Sequence, residues 1–277
     1  MITLRKDRIS VAMAGLQGRP DARDTSARGL IEWVAARGVR YVQLNAAMAG
    51  ILPRELGRSA RRDLASLIKR VGLSLSGIDL WIPPSHFVDP TNQQRAIDAA
   101  SGACELAAEL RAILGEPAPG GAIFGVSMAL HEETPAAVVD AIGAAATRCG
   151  VVIIDHAWPA RTVASDGPIR VGIDPAVLIG AGASVAKAAL GLSPAPAAFR
   201  LSDFSAIGRV APGEGSLDLS NYDIAITTLN WAGAVTLDLR GLHASGHGAG
   251  RDMGDVIDRV LQRLSDSASS SGIVKFE

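Results

Sequence analysis

The chain has 277 residues, of which 48% are apolar, and it carries 27 basic against 28 acidic side chains. That length suits one globular domain of the α/β-barrel size class. No apolar run approaches the ~18 residues needed to span a membrane, and the opening "MITLRKDRISVAMAG" is too short and badly flanked for a secretory signal. Cys104 and Cys149 have no metal spacing and read as buried thiols, so nothing calls for an oxidising compartment and a cytoplasmic location is expected.

Residues 1–75 hold 14 Lys/Arg against 6 Asp/Glu, which leaves the remainder acidic. The densest basic stretch, "RELGRSARRDLASLIKR", reads as a surface helix with Leu64, Leu67, Ile68 and Val71 as its apolar stripe. A solvated helix face explains it better than a polyanion site.

In chain order, short apolar strands alternate with amphipathic helices. "ISVAMAG" precedes a helix over about Thr25–Arg37, and "YVQLNA" precedes the basic helix from Ser59. "LSLSGIDLW" leads through a loop to a helix from Asn92 to about Leu114, and "AIFGVSMAL" to one from Thr134 to about Cys149. "VVIID", "IRVGID", "AAFRLSD" and "AVTLDLRG" follow, with later helices near 184–192, 217–229 and 252–264. Apolar strands separated by helices imply a parallel sheet covered by helices. Eight of them in this length imply a single closed (β/α)8 TIM barrel over about 9–264, with a mobile Ser-rich tail at 265–277.

One unit breaks the pattern. Only "HAWPARTVASDGP" joins the fifth strand to the sixth, and Pro159 and Pro168 oppose a long helix there. The helix after strand 5 is expected to be missing or reduced. A gap over "VVIID" suggests a homodimer that covers it with a second chain, or Trp158 folding over it.

Barrel chemistry sits at the carboxyl ends of the strands. Those ends supply Asn45 on strand 2, Asp79, Trp81 and His86 on strand 3, and Asp155-His156 on strand 5. Strand 6 ends in Asp174, strand 7 in Arg200 and Asp203, and strand 8 in Asp238 and Arg240. Asp155, Asp174 and Asp238 are expected to converge on the barrel axis. His156 either joins them or, by strand alternation, faces the helix layer. Trp81, Phe87 and Trp158 suit either a sugar-facing wall or packing. His86, Asn45, Asp203 and Arg209 complete the expected substrate-binding set. His243 and His247 have metal-like spacing but lie in the glycine-rich "HASGHGAG", which reads as a flexible loop.

With "YVQLNAAMAG", "GIDLWIPPSHF" and "GRVAPGEGSLDL" in this order, the chain resembles the xylose isomerase-like TIM-barrel superfamily from Ile9 to about Leu264. That group includes sugar phosphate isomerases and epimerases. The resemblance implies a divalent metal held by Glu on strand 5, Asp and often His on strand 6, His on strand 7 and Glu on strand 8. Carried over, those positions hold Asp155, Asp174 with Val177, Arg200 and Asp238.

Arginine has no lone pair for a metal and stays protonated in a protein. Arg200 among aspartates would take over the metal's electrostatic role, so no metal is expected. The alternative is Mg²⁺ or Mn²⁺ on Asp155, Asp174 and Asp238, with Arg200 swung away. The function the resemblance implies is proton transfer on a small sugar, polyol or keto-sugar. Asp155 and Asp238 would be the acid/base pair and Arg200 the electrophile. The competing expectation is a non-catalytic barrel that binds a carbohydrate at a decayed metal site. A nucleic-acid role of the apurinic-endonuclease kind needs more histidines than these positions supply.

Overall fold

A computed structural model describes residues 4–16, 24–115, 120, 123–242 and 252–270. The strands and helices run β1 (Ile9–Ala12), α1 (Ala27–Ala35), β2 (Tyr41–Asn45), α2 (Arg58–Arg70), β3 (Ser74–Asp79), α3 (Pro90–Leu114), β4 (Gly125–Met128), α4 (Ala136–Cys149) and β5 (Val152–Asp155). They continue with β6 (Ile169–Ile173), α5 (Pro175–Gly180), α6 (Val185–Gly191), β7 (Ala198–Leu201), β8 (Asp203–Ser205), β9 (Gly208–Val210), α7 (Leu219–Thr228), β10 (Val235–Leu237) and α8 (Met253–Ser270). Eight of the strands close a parallel barrel in the order β1-β2-β3-β4-β5-β6-β7-β10, and β8 with β9 forms a separate antiparallel hairpin. The (β/α)8 expectation holds.

Local chemistry sets the helix ends. Ser26 caps α1 by accepting from Gly29 N at 3.1 Å, and Asp89 caps α3, whose first residue is Pro90. Gly115 stops α3 in the left-handed conformation with φ 68°, where a side chain is disfavoured.

The two faces of each strand differ sharply. Val11, Val42, Leu44, Ile78, Val126, Ile153, Leu201 and Leu237 are buried in the core with helix residues such as Leu30, Ile68, Leu110 and Ile257. On the other face, register aligns Ser10 with Thr236, Thr236 with Arg200, Asn45 with Asp79, Asp79 with Ser127, and Ser127 with Ile154. Side chains of this set meet across non-neighbouring strands: Gln43 Nε2 donates to Ser127 Oγ at 3.2 Å, and Arg200 Nη2 to Asp79 Oδ1 at 2.6 Å. Such contacts cross the barrel lumen, so this face points inward. Apart from Ile154, the inward residues named are small or polar, and the large aliphatic side chains lie between sheet and helices.

No helix forms between β5 and β6, as expected. Cover for the strand comes from the chain itself. Ile153 is fully buried, and Trp158 and Val163 of the connection pack on the core. Other expectations change in detail. Residues 265–270, read as the start of a mobile tail, continue α8 to Ser270. The loop after β7 contains the β8–β9 hairpin, and α5 follows β6 directly. Cys104 is buried and its thiol is pushed up to about 12 by burial, whereas Cys149 is only partly buried. His243 and His247 lie outside the described residues. No helix among the described residues is long and apolar enough to cross a membrane.

Candidate binding site at the barrel mouth

At the carboxyl end of the barrel, three arginines and three aspartates interlock. Arg200 of β7 donates through Nη2 to Asp79 Oδ1 at 2.6 Å, and through Nη1 to Asp238 Oδ2 at 3.1 Å and Asp174 Oδ2 at 3.4 Å. Arg240 donates through Nε and Nη2 to Asp238 at 2.9 and 2.5 Å, and through Nη1 to Asp79 Oδ2 at 3.3 Å. Arg209, on β9, donates to Asp174 Oδ2 at 2.6 Å and lies 3.5 Å from Asp238. Ser202 Oγ adds a 2.6 Å bond to Asp174, and Asp174 itself caps α5 by accepting from Ala176 N. Tyr222 Oη donates to the Arg200 carbonyl at 2.7 Å, pinning β7 where the guanidinium leaves it.

Burial and charge compete in this ring. Burial pushes Asp79 up to about 6 and Asp238 up to about 7, with Arg200 the largest opposing influence on each. Burial also opposes charge on Asp174, but Arg209 and Arg200 outweigh it and hold that carboxyl below the usual range. Burial opposes the charge on Arg209 too, yet Asp174 and Asp238 raise its pKa above the ordinary value.

Beside the ring lies a cavity of about 310 Å³, lined by the three arginines with Asp174, His156 and Trp81 among its other residues. The lining set thus holds three guanidiniums and one carboxylate. Trp81 is 45% exposed, and the Arg240 guanidinium sits over its ring at 5.7 Å. Phe87 is buried and Trp158 packs on the core, so of the three aromatics weighed as a sugar wall only Trp81 lines the cavity.

The largest correction concerns strand 5. Asp155 is not the third carboxylate of the ring; Asp79 is. Register places Met128 opposite Asp155, on the outward parity, while Ile154 shares the inward face with Ser127. The Asp155 carboxylate accepts from Leu130 N and Ala157 N and pairs with Arg161 Nε at 3.0 Å, holding two loops together. His156, two residues after Ile154, therefore faces the lumen and not the helix layer. Its ring lies against Gly172, where an added Cβ would fall 2.3 Å from Cε1 and 2.5 Å from Nδ1. Burial, then Arg200, lowers the His156 pKa well below the ordinary value, so the imidazole is neutral.

Three more expected ligand contacts do not line the cavity. The Asp203 carboxylate is taken up by backbone N–H groups of Phe204, Gly213, Gly215 and Leu217, and it organises the "PGEG" loop. Asn45 Oδ1 accepts from Ala47 N at 2.9 Å. His86 sits in the short turn Pro84–Phe87.

A divalent cation needs oxygens not already held by other cations. Asp79 and Asp174 each contact two guanidiniums and Asp238 contacts three. Among the described residues no three His, Cys, Asp or Glu side chains are grouped to hold a metal. These donors do not fit the four-ligand centre that the resemblance implies.

The closed parallel barrel is a TIM barrel, and its likeness to solved structures is to the xylose isomerase-like fold. No family model matches the sequence, and no curated protein matches it. Solved structures do. A xylose isomerase domain protein from Planctomyces limnophilus aligns over 96% of this chain and 98% of its own, with TM-score 0.66 and 13% identity. A D-psicose 3-epimerase crystallised with D-fructose aligns over 95% and 98%, also with TM-score 0.66 and 13% identity. The probable 3-DHS dehydratase AsbF from Bacillus anthracis aligns over 93% and 98%, with TM-score 0.64 and 12% identity. At such identities the likeness concerns the fold.

Proposed function

We propose that this chain binds a small sugar or polyol at the barrel mouth, without a divalent metal. The observation that carries this is Arg200, whose guanidinium is bonded to the three aspartates that a cation would otherwise neutralise. The 310 Å³ cavity beside it is of monosaccharide size, with donors from arginine and an apolar face from Trp81. Sugar epimerases among the fold neighbours support the ligand class. On this reading Asp155 serves the loops and takes no part in ligand chemistry. The test is ligand-observed NMR with a panel of ketoses, polyols and sugar acids in excess EDTA. Binding is expected there and should weaken in Arg240→Met. Binding that appears only when Mg²⁺ or Mn²⁺ is added would overturn the proposal.

A second reading, proton transfer next to a carbonyl, is favoured by one observation. Asp238, raised to about 7, has the acidity of a general acid/base near neutral pH. Incubating the protein with ketoses in D₂O checks it: deuterium incorporated at the carbon next to the carbonyl supports turnover. Binding without exchange leaves the non-catalytic barrel.

A further inference from the structure

The charges that meet a ligand are not those of the ring as a whole. The Asp79 and Asp238 side chains have no solvent exposure and Asp174 has 2%, whereas Arg209 is 21% exposed and Arg240 10%. Asp79 and Asp238 lie beneath the guanidiniums and do not line the cavity, whose wall sets three cations against the single anion of Asp174. His156, also in that wall, is neutral. Arg209 and Arg240 adjoin. Both reach Asp238 Oδ2, at 3.5 and 2.5 Å, and the Arg209 stem packs on Gly241, where an added Cβ would lie 3.4 Å from Cδ. A guanidinium has five N–H donors, and among the described residues Arg209 makes one hydrogen bond, through Nη2 to Asp174. The most exposed cation of the ring therefore keeps donors for a ligand. A sugar resting on the exposed part of Trp81 lies beside Arg240, whose guanidinium is 5.7 Å from the indole ring.

We infer that the ligand is a sugar acid, held by its carboxylate at Arg209 and Arg240 on the cavity wall. The inference rests on the proposed sugar-binding reading and narrows its ligand class. A planar carboxylate matches the edge of a guanidinium through two parallel N–H···O bonds, as a neutral hydroxyl cannot. The single charge it brings can also be offset. Asp238, raised by burial to about 7 and lying directly under both arginines, takes up a proton more readily when an anion enters above it. A phosphate ester brings nearly two charges, and the second would face the Asp174 carboxylate without such an offset. Arg209 is thus the residue that separates sugar acids from neutral sugars.

Binding titrations of the full chain at pH 7 in EDTA test it. The probes are D-glucuronate, D-galacturonate and D-gluconate, each beside its neutral counterpart D-glucose, D-galactose or D-glucitol, with D-glucose 6-phosphate as the dianion. At least one acid should bind about tenfold or more tighter than its counterpart, and tighter than the phosphate ester. Arg209→Gln should bring that acid down to the affinity of the neutral sugar. Arg209→Lys, which keeps the charge and loses the fork, should fall between, and serves alone if the glutamine variant melts before it can be titrated. Neutral sugars that bind as well as the acids overturn the carboxylate assignment and leave the sugar-binding reading standing. Tighter binding of D-glucose 6-phosphate overturns it in favour of a dianion. An acid whose affinity survives in both folded Arg209 variants overturns the role of Arg209. Acids and neutral sugars that all fail to bind overturn the inference together with the reading beneath it.

Discussion

Replacing Arg200 with methionine keeps a long side chain but removes one cation from a ring of three cations and three anions. The three carboxylates then differ in what they retain. Asp174 keeps Arg209 at 2.6 Å and Ser202, and Asp238 keeps Arg240 and Arg209. Asp79 loses its 2.6 Å bond and retains only Arg240 at 3.3 Å, in a site with no solvent exposure. Removing one partner of a buried ion pair costs about 3–5 kcal/mol, which for a chain of this size is a fall of about 6–10 °C in Tm. The fall should depend on pH. Asp79 and Asp238 are raised in the folded protein to about 6 and about 7, above the usual 3.8. The stability such groups contribute is fully present below the unfolded pKa and is lost as pH rises through the folded one. At pH 5 both carboxyls are largely protonated and need less of Arg200; at pH 8 both are ionised and need all of it. Thermal melts in EDTA should show the full difference at pH 8 and roughly half or less at pH 5. A variant within about 2 °C of wild type at pH 8, or equally destabilised at both pH values, would refute the reasoning.

Gly172→Ala should displace the His156 ring, cost about 1–3 kcal/mol through overpacking, and weaken binding of whichever sugar the panel identifies by reshaping the cavity that the ring lines; unchanged affinity would show that the ring does not shape the binding site. Asp203→Asn turns an amide N–H₂ toward backbone donors that now share a carboxylate, so a loss of about 3 kcal/mol and faster hydrogen exchange over residues 213–217 are expected. Asp155→Asn should lower Tm through its loops while leaving ligand affinity within about twofold, or about 0.4 kcal/mol; a large loss of binding would return Asp155 to the site. Elemental analysis of protein purified without chelator should find well under one equivalent of Mg, Mn or Zn per chain, and Arg200→His should raise divalent affinity by removing a fixed charge. A stoichiometric ion on Asp174 in the wild type would contradict the metal-free reading.

Much of this was legible in the sequence because barrel strands advertise their two faces. In "GID", "RVGID", "AFRL" and "VTLD", small or polar residues alternate with large apolar ones, and Asp79, Asp174, Arg200 and Asp238 prove to meet at the lumen. Arg200, Asp174 and Asp238 could therefore be placed together from the chain alone, and so could the absent fifth helix, since two prolines and a short connection leave no room for one. "VVIID" carries no such alternation. With four apolar residues in a row its parity is undetermined, and a one-residue slip exchanges Asp155 for His156. Only the closed register, running from strand to strand around the barrel, decides which of the two enters the site. The same holds for Asp79, whose partner Arg200 is 121 residues away and meets it across the lumen. It holds as well for Arg209, which reaches the ring because Asp203 gathers four backbone N–H groups and folds the hairpin's loop back. Local pattern determined the elements and the kind of residue at each strand end. Which charges pair, and that three guanidiniums meet the three aspartates, follows from long-range closure of the barrel, where distance in space is independent of distance along the chain.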